Sequence, residues 1–148
     1  MGRAVVNADD LAASIAAKMR ADEGTGAAWG IEIEEAREGY ARIRMTLTAA
    51  MLNGHNIAHG GMIFALADTA FAYACNSRNV VTVAAQASIV FLDSAREGEV
   101  LVAEAREAAL AGRSGVYNVA VRGEGGRVIA EFQGYSRTLG GPVLERGG

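Results

Sequence analysis

Apolar positions recur along this chain with two different periods, and the changes of period divide it into elements. Leu11, Ile15, Ala16 and Met19 fall at helical spacing, with Asn7 placed as a cap and Asp9 and Asp10 in the first turn. A short amphipathic helix is therefore expected over about 8–20, packed on the outside. The glycine-bearing stretch ADEGTGAAWG, residues 21–30, reads as a loop. From Ile31 to Thr48 the period drops to two: Ile43, Met45 and Leu47 alternate with Arg42, Arg44, Thr46 and Thr48. That predicts an antiparallel hairpin with one buried face, turning near Glu38 and Gly39. Residues 62–75 are apolar throughout except at Asp68 and Thr69, the pattern of a helix surrounded by protein, and Gly60 and Gly61 open it.

After NSRN, the run VVTVAAQASIVFLDSA at 80–95 is so continuously apolar and β-branched that a place in mid-sheet is expected for it. Residues 97–139 read as three further strands, with turns at AGRSG and GEGG. EAREAALA, residues 104–111, has helical propensity, but a strand-length partner follows a tight glycine turn, which favours strand. The segment 140–148 is expected to fray. Helix, two strands, buried helix and four strands make an α+β fold in one domain spanning 1–148.

Composition narrows the function. A chain of 148 residues that is 51% hydrophobic supports one substantial core and leaves no room for a second domain. A net charge of −3 gives no general attraction to nucleic acid. One cysteine, Cys75, excludes an internal disulfide, and with two histidines it makes a thin ligand set, so no metal is expected. Cys75 reads as a small buried apolar residue. MGRAVVNADDL lacks an apolar leader with a cleavage site, and no run approaches the length of a membrane span. The expectation is a soluble cytoplasmic protein with neither nucleic acid nor membrane among its partners.

Against that background Asp68 stands out. At 100° per residue it shares a helix side with Phe64, Phe71 and Cys75, which would set a carboxylate among apolar neighbours. It is read either as a paired structural acid or as a base. The first N–H groups of the same helix, at Gly60 and Gly61, have no internal partner and could hold a developing oxyanion. Just before them, NGHN and the following residues supply Asn53, His55 and His59. A base and an oxyanion hole suggest acyl chemistry.

MLNGHNIAHGG followed by FALADTAFAYACNS resembles the hotdog-fold acyl-CoA thioesterases, and among them the phenylacetic-acid-degradation thioesterases, over roughly residues 40–141. The resemblance implies a hotdog fold, a sheet of five to six strands around one long central helix. It also implies homodimers paired edge to edge, which often stack into homotetramers, and no cofactor or metal, coenzyme A being part of the substrate. By motif position Asp68 would be general base or nucleophile, and Gly60 N–H would polarise the thioester carbonyl. Asn53 would hold the thioester or the attacking water, His59 would orient the turn, and Thr69 would be a hydrogen-bond donor. Related enzymes often carry Ser or Thr on the strand facing the acid; here Gln86 or Ser88 would substitute. Arg113 and Arg137 are candidates for the coenzyme A phosphates.

The physical case agrees, because a thioester is electrophilic enough for one carboxylate and one N–H donor to suffice. The implied reaction is hydrolysis of an aryl-acetyl-CoA to free acid and CoA, as in phenylacetate degradation. The alternatives are a non-catalytic acyl-CoA-binding module, a thioesterase with a different acyl group, and a hotdog dehydratase or hydratase. Gly60 and Asp68 are eight residues apart, about 12 Å along a helix, so a site using both is expected to draw them from two chains.

Overall fold

The computed structural model describes residues 7–145. The first six residues, part of the stretch read for a leader, and the last three of the expected tail lie outside the described residues. The described chain forms helices α1 (Ala8–Asp22), α2 (Gly24–Ala28) and α3 (Gly60–Cys75), and strands β1 (Glu32–Arg37), β2 (Tyr40–Thr46), β3 (Thr82–Phe91), β4 (Val100–Ala111), β5 (Ser114–Arg122) and β6 (Val128–Thr138). All six strands pair antiparallel in one sheet of order β1-β2-β4-β5-β6-β3. The sheet curves around α3, which touches every strand.

Local chemistry explains the elements. Asn7 caps α1 as expected, its Oδ1 accepting from Asp9 N–H at 2.8 Å, and Ala12, Ile15 and Ala16 form its buried face. In β2 the alternation holds: Ile43 and Met45 are fully buried, and Arg44 points outward to Glu32. The core joins these to Leu66, Ala70 and Phe71 of α3, Leu101 of β4, Val119 of β5 and Phe132 of β6. Residues 104–111 are strand, as the pairing argument required.

Four expectations are corrected. The loop over 21–30 contains α2, because packing overrides the low helix propensity of its glycines. Arg20 lies across Gly26, where a Cβ would come within 2.6 Å of the Arg20 Cδ, and its Nε donates to Ile31 O at 2.7 Å. The strand expected in mid-sheet, β3, is an edge strand with β6 as its one neighbour. Its apolar character therefore faces outward as well as inward: Val83, Val90, Phe91 and the following Leu92 are exposed. Nor does protein surround α3 within one chain. Gly61, Ala65, Asp68 and Ala72, one helical stripe, are not buried. Finally, the expected frayed tail is tied down at Leu144, whose N–H and C=O both bond the Asn79 side chain, at 2.7 and 3.0 Å.

Candidate active site

Two half-sites lie on α3, one at its start and one at its middle. At the start, Asn53 folds the turn beneath the helix. Its Oδ1 accepts from His55 N–H at 2.9 Å and, at 3.4 Å, from Ile57 N–H, while its own N–H donates to Ile57 O at 2.8 Å. Asn56 sits in the left-handed region at φ 61° to close the turn. His59 is the N-cap of α3: its Nδ1 accepts from Gly61 N–H at 2.8 Å, and its own N–H donates to Met51 O at 2.9 Å.

The two glycines therefore differ. Gly61 N–H is taken by His59, whereas Gly60 N–H has no acceptor among the described residues. It is an open donor at the positive end of a sixteen-residue helix. Gly60 is also where β3 comes closest, since a Cβ there would lie 3.0 Å from the Phe91 ring. A shallow pocket of about 410 Å³ opens at this point, walled by Ile63, Phe91 and Leu92. His55 is exposed on the turn and is bonded there through its backbone.

At the middle of the helix, Asp68 opens into a separate cavity of about 210 Å³. Phe71 and Cys75 of α3, Thr82 and Ala84 of β3, and Met19 of α1 wall it. The carboxylate accepts no hydrogen bond and forms no ion pair among the described residues. Burial alone pushes its pKa above the ordinary aspartate value. Among the described residues Asp68 thus lacks the partner that a paired structural acid would have. Beside it, burial, and secondarily the charge of Asp68, push the Cys75 thiol up to about 12. Cys75 is thus a neutral wall and no nucleophile at ordinary pH.

The remaining candidate residues lie elsewhere. Thr69 donates its hydroxyl hydrogen to Ala65 O at 2.7 Å, within its own helix, so it offers an acceptor and not the expected donor. Gln86 and Ser88 do not face Asp68. A bulge between Ala84 and Gln86 in the ladder with β6 shifts the alternation, so that Ala84, Ala87 and Ile89 share the inner face while Gln86 and Ser88 turn outward opposite Tyr135 and Gln133. Arg113 and Arg137 are exposed at one end of the sheet, where β5 and β6 pair Ser114 with Arg137. Neither forms an ion pair among the described residues. Arg137 is also opposite Val83, on the rim of the Asp68 cavity. The reading of the sequence missed Met19, Ala84 and Phe91. Met19 and Phe91 had been absorbed into apolar patterns, and only the bulge puts Ala84 at the acid.

A trough of about 510 Å³ around Asp93, Glu99 and Arg127 adjoins the Gly60 pocket, with which it shares Asp93 and Ser94. Its charges already bind one another, Arg127 reaching Asp93 at 2.7 Å and Glu99 at 2.9 Å. Among the described residues no three His, Cys, Asp or Glu side chains gather to hold a metal, and no helix is long and apolar enough to cross a membrane.

Comparison with known proteins places these features. The sequence profile of the thioesterase superfamily matches residues 55–130. The acyl-coenzyme A thioesterase PaaI of Escherichia coli is 43% identical over 116 residues, 78% of this chain and 83% of that protein. The structure of the E. coli PaaI protein from the phenylacetic acid degradation operon superposes with a TM-score of 0.90 at 39% identity, covering 92% of this chain and 99% of that one. A variant of the phenylacetic acid degradation protein PaaI of Thermus thermophilus superposes with a TM-score of 0.76 at 32% identity, covering 79% and 100%. The hotdog architecture expected from the central motif is the one found.

Proposed function

This chain belongs to the thioesterase superfamily and is a homologue of an acyl-CoA thioesterase, and from that premise we propose that its substrates are aryl-acetyl thioesters of coenzyme A. Phenylacetyl-CoA and its ring-hydroxylated forms are hydrolysed to the free acid and CoA, in the cytoplasm, as a step of aromatic acid breakdown. The observation that carries the reading is a pair of groups on α3 left unsatisfied among the described residues: an acceptor-free N–H at Gly60 and a donor-free carboxylate at Asp68.

Gly60 N–H donates to the thioester carbonyl, whose oxygen gains negative charge as water adds. Asp68 takes the proton from that water, and its raised pKa strengthens it as a base. The tetrahedral adduct collapses, the C–S bond breaks, and the thiolate of CoA leaves and is protonated. His59 holds the oxyanion turn in shape through Gly61, and Asn53, whose amide nitrogen is unengaged among the described residues, steadies thioester or water. Arg113 and Arg137 supply cations for the CoA phosphates. The route calls for no metal and no cofactor.

Each site is built from two chains. Gly60 and Asp68 are eight residues apart, about 12 Å at the backbone, too far to act on one carbonyl and its water. The exposed edge strand β3 touches both half-sites, Phe91 lying against Gly60 and Ala84 against Asp68. Antiparallel pairing of two β3 strands about their middle sets the Phe91 end of one chain beside the Ala84 end of the other. It also covers the apolar edge and the open stripe of α3. Two such dimers stack as a homotetramer.

The test uses thiol release from phenylacetyl-CoA. Asn53→Ala and Asp68→Asn are each expected to be nearly inactive. Refolded together, they form mixed dimers with one doubly defective site and one intact site, so about a quarter of sites recover with random pairing. A mixture as inactive as its parents places each site within one chain. If kcat/KM for long straight-chain acyl-CoA exceeds that for phenylacetyl-CoA, the aryl assignment falls and the reaction type stands.

A further inference from the structure

The cavity beside Asp68 has one wall that belongs to neither α3 with its cap nor β3: the side chain of Met19. Everything around that methionine is fastened. Ile15 and Ala16, on the same face of α1, are fully buried. Asp9 at the start of the helix accepts from Glu38 N–H at 3.1 Å. Arg20, the residue after Met19, donates to Ile31 O at 2.7 Å, and just past the helix Glu23 accepts from Tyr73 OH of α3 at 3.0 Å. Helix α1 and the residue after it are thus tied, through the side chains of Asp9, Arg20 and Glu23, to the β1–β2 turn, to the entry of β1 and to α3, and these ties hold Met19 at the cavity. Its unbranched thioether chain can still adjust to what it touches.

The size of the space bears on the acyl group it can take. A cavity of about 150 Å³ accommodates benzene, and the 210 Å³ here exceed that by roughly two water volumes. On this chain's side of the shared, open-mouthed site that is room for one ring and the methylene joining it to a carbonyl beside Asp68. The walls suit such a group, being the Phe71 ring, the neutral Cys75 thiol, Ala84 and Met19.

We propose that Met19 is the specificity-determining residue that sets the length of acyl group accepted at Asp68, so that a helix outside the catalytic motif selects the substrate. This rests on the thioesterase reading above. Shortening the side chain extends the cavity toward α1, and an aromatic ring in its place fills it.

The experiment compares wild type with Met19→Ala, Met19→Phe and the volume-conserving control Met19→Leu, measuring kcat/KM for phenylacetyl-CoA, octanoyl-CoA and acetyl-CoA. Met19→Ala is expected to raise the octanoyl to phenylacetyl ratio about tenfold or more, the scale on which single methylenes are discriminated in apolar pockets. Met19→Phe is expected to lower phenylacetyl relative to acetyl by a similar factor, and Met19→Leu to leave both ratios near wild type. Binding of two inert thioethers, S-octyl-CoA and S-(2-phenylethyl)-CoA, by calorimetry gives a readout independent of turnover. Ratios unchanged in Met19→Ala and Met19→Phe, by kinetics and by binding, overturn the role of Met19 while leaving the reaction in place. A wild type that releases no thiol from any acyl-CoA defeats the reaction instead, and the thioether affinities then decide on Met19 by themselves.

Discussion

Asp68 and Glu99 are both acids drawn out of water, and the fold treats them in opposite ways. Glu99, 7% exposed at the end of the sheet, accepts from the N–H groups of Arg96 and Glu124 at 3.1 Å each and from Arg127 at 2.9 Å. Burial pushes its carboxyl up, but those two N–H groups and the arginine outweigh it and hold the pKa below the usual glutamate value. Asp68 has burial without the donors, and its pKa rises. The acid that ties loops together is surrounded by donors. The acid we propose as the base is left without them, so that water and a reacting group can occupy their place.

The contrast breaks most sharply if Asp68 is neutralised. Asp68→Asn keeps the volume and removes the base, and turnover is expected to fall by about 10² or more. Because the folded pKa of Asp68 is raised, its ionisation weakens the fold, a loss that sets in as pH rises through the unfolded value and is complete above the folded one. The same variant is therefore expected to melt no lower than wild type at neutral pH, and scanning calorimetry beside the turnover assay reads both. Near-normal turnover would remove Asp68 from the mechanism.

Glu99→Ala should act the other way round. It orphans two N–H groups and takes one partner from Arg127, which keeps Asp93, and a loss of roughly 1.5–3 kcal/mol in chemical denaturation is expected, the range for hydrogen bonds to a charged group. The folded fraction should lose far less turnover than Asp68→Asn does. A variant as stable as wild type would mean that the Glu99 network holds nothing together.

The smallest effect is a separation in pH. The proposed mechanism needs ionised Asp68, so kcat/KM is expected to fall, as pH drops, around a pKa above the ordinary aspartate value of 3.8. The contribution of Glu99 is fully present above its unfolded value of about 4.5 and disappears only as pH falls through the lower folded one. Circular dichroism followed over the same pH series separates the two acids, because protonating Asp68 costs activity and protonating Glu99 costs structure. Coincident losses would show that the acid limb reports unfolding.

The sequence made the hairpin of β1 and β2, the buried core of α3 and the capped start of α1 legible, because period and capping are local properties. Asp68, His59 and Gly60 were legible too, since a polar residue in an apolar run and glycines at a helix start are anomalies within a few positions of each other. What escaped was set by distant contacts. The bulge at Ala84–Gln86 reverses which residues of β3 face inward, and no pattern in QAS announces it. The edge position of β3 was hidden because an apolar strand looks the same whether its second neighbour is in its own chain or another. Helix α2 depends on Arg20 lying over Gly26, and the role of Met19 on a cavity whose other walls begin some fifty residues later.

The place of β3 in the sheet also bears on how a ribosome can make this protein. Its ladder partner is β6, with Val83 opposite Arg137, so β3 is synthesised well before the strand that pairs with it, which begins at Val128. Until then it has no neighbour on either side, and a nascent chain stalled before residue 128 carries an adhesive ribbon beside an otherwise paired β1–β2 hairpin. A deletion that removes β6 therefore releases β3, and the product should be recovered in inclusion bodies and not as a smaller enzyme.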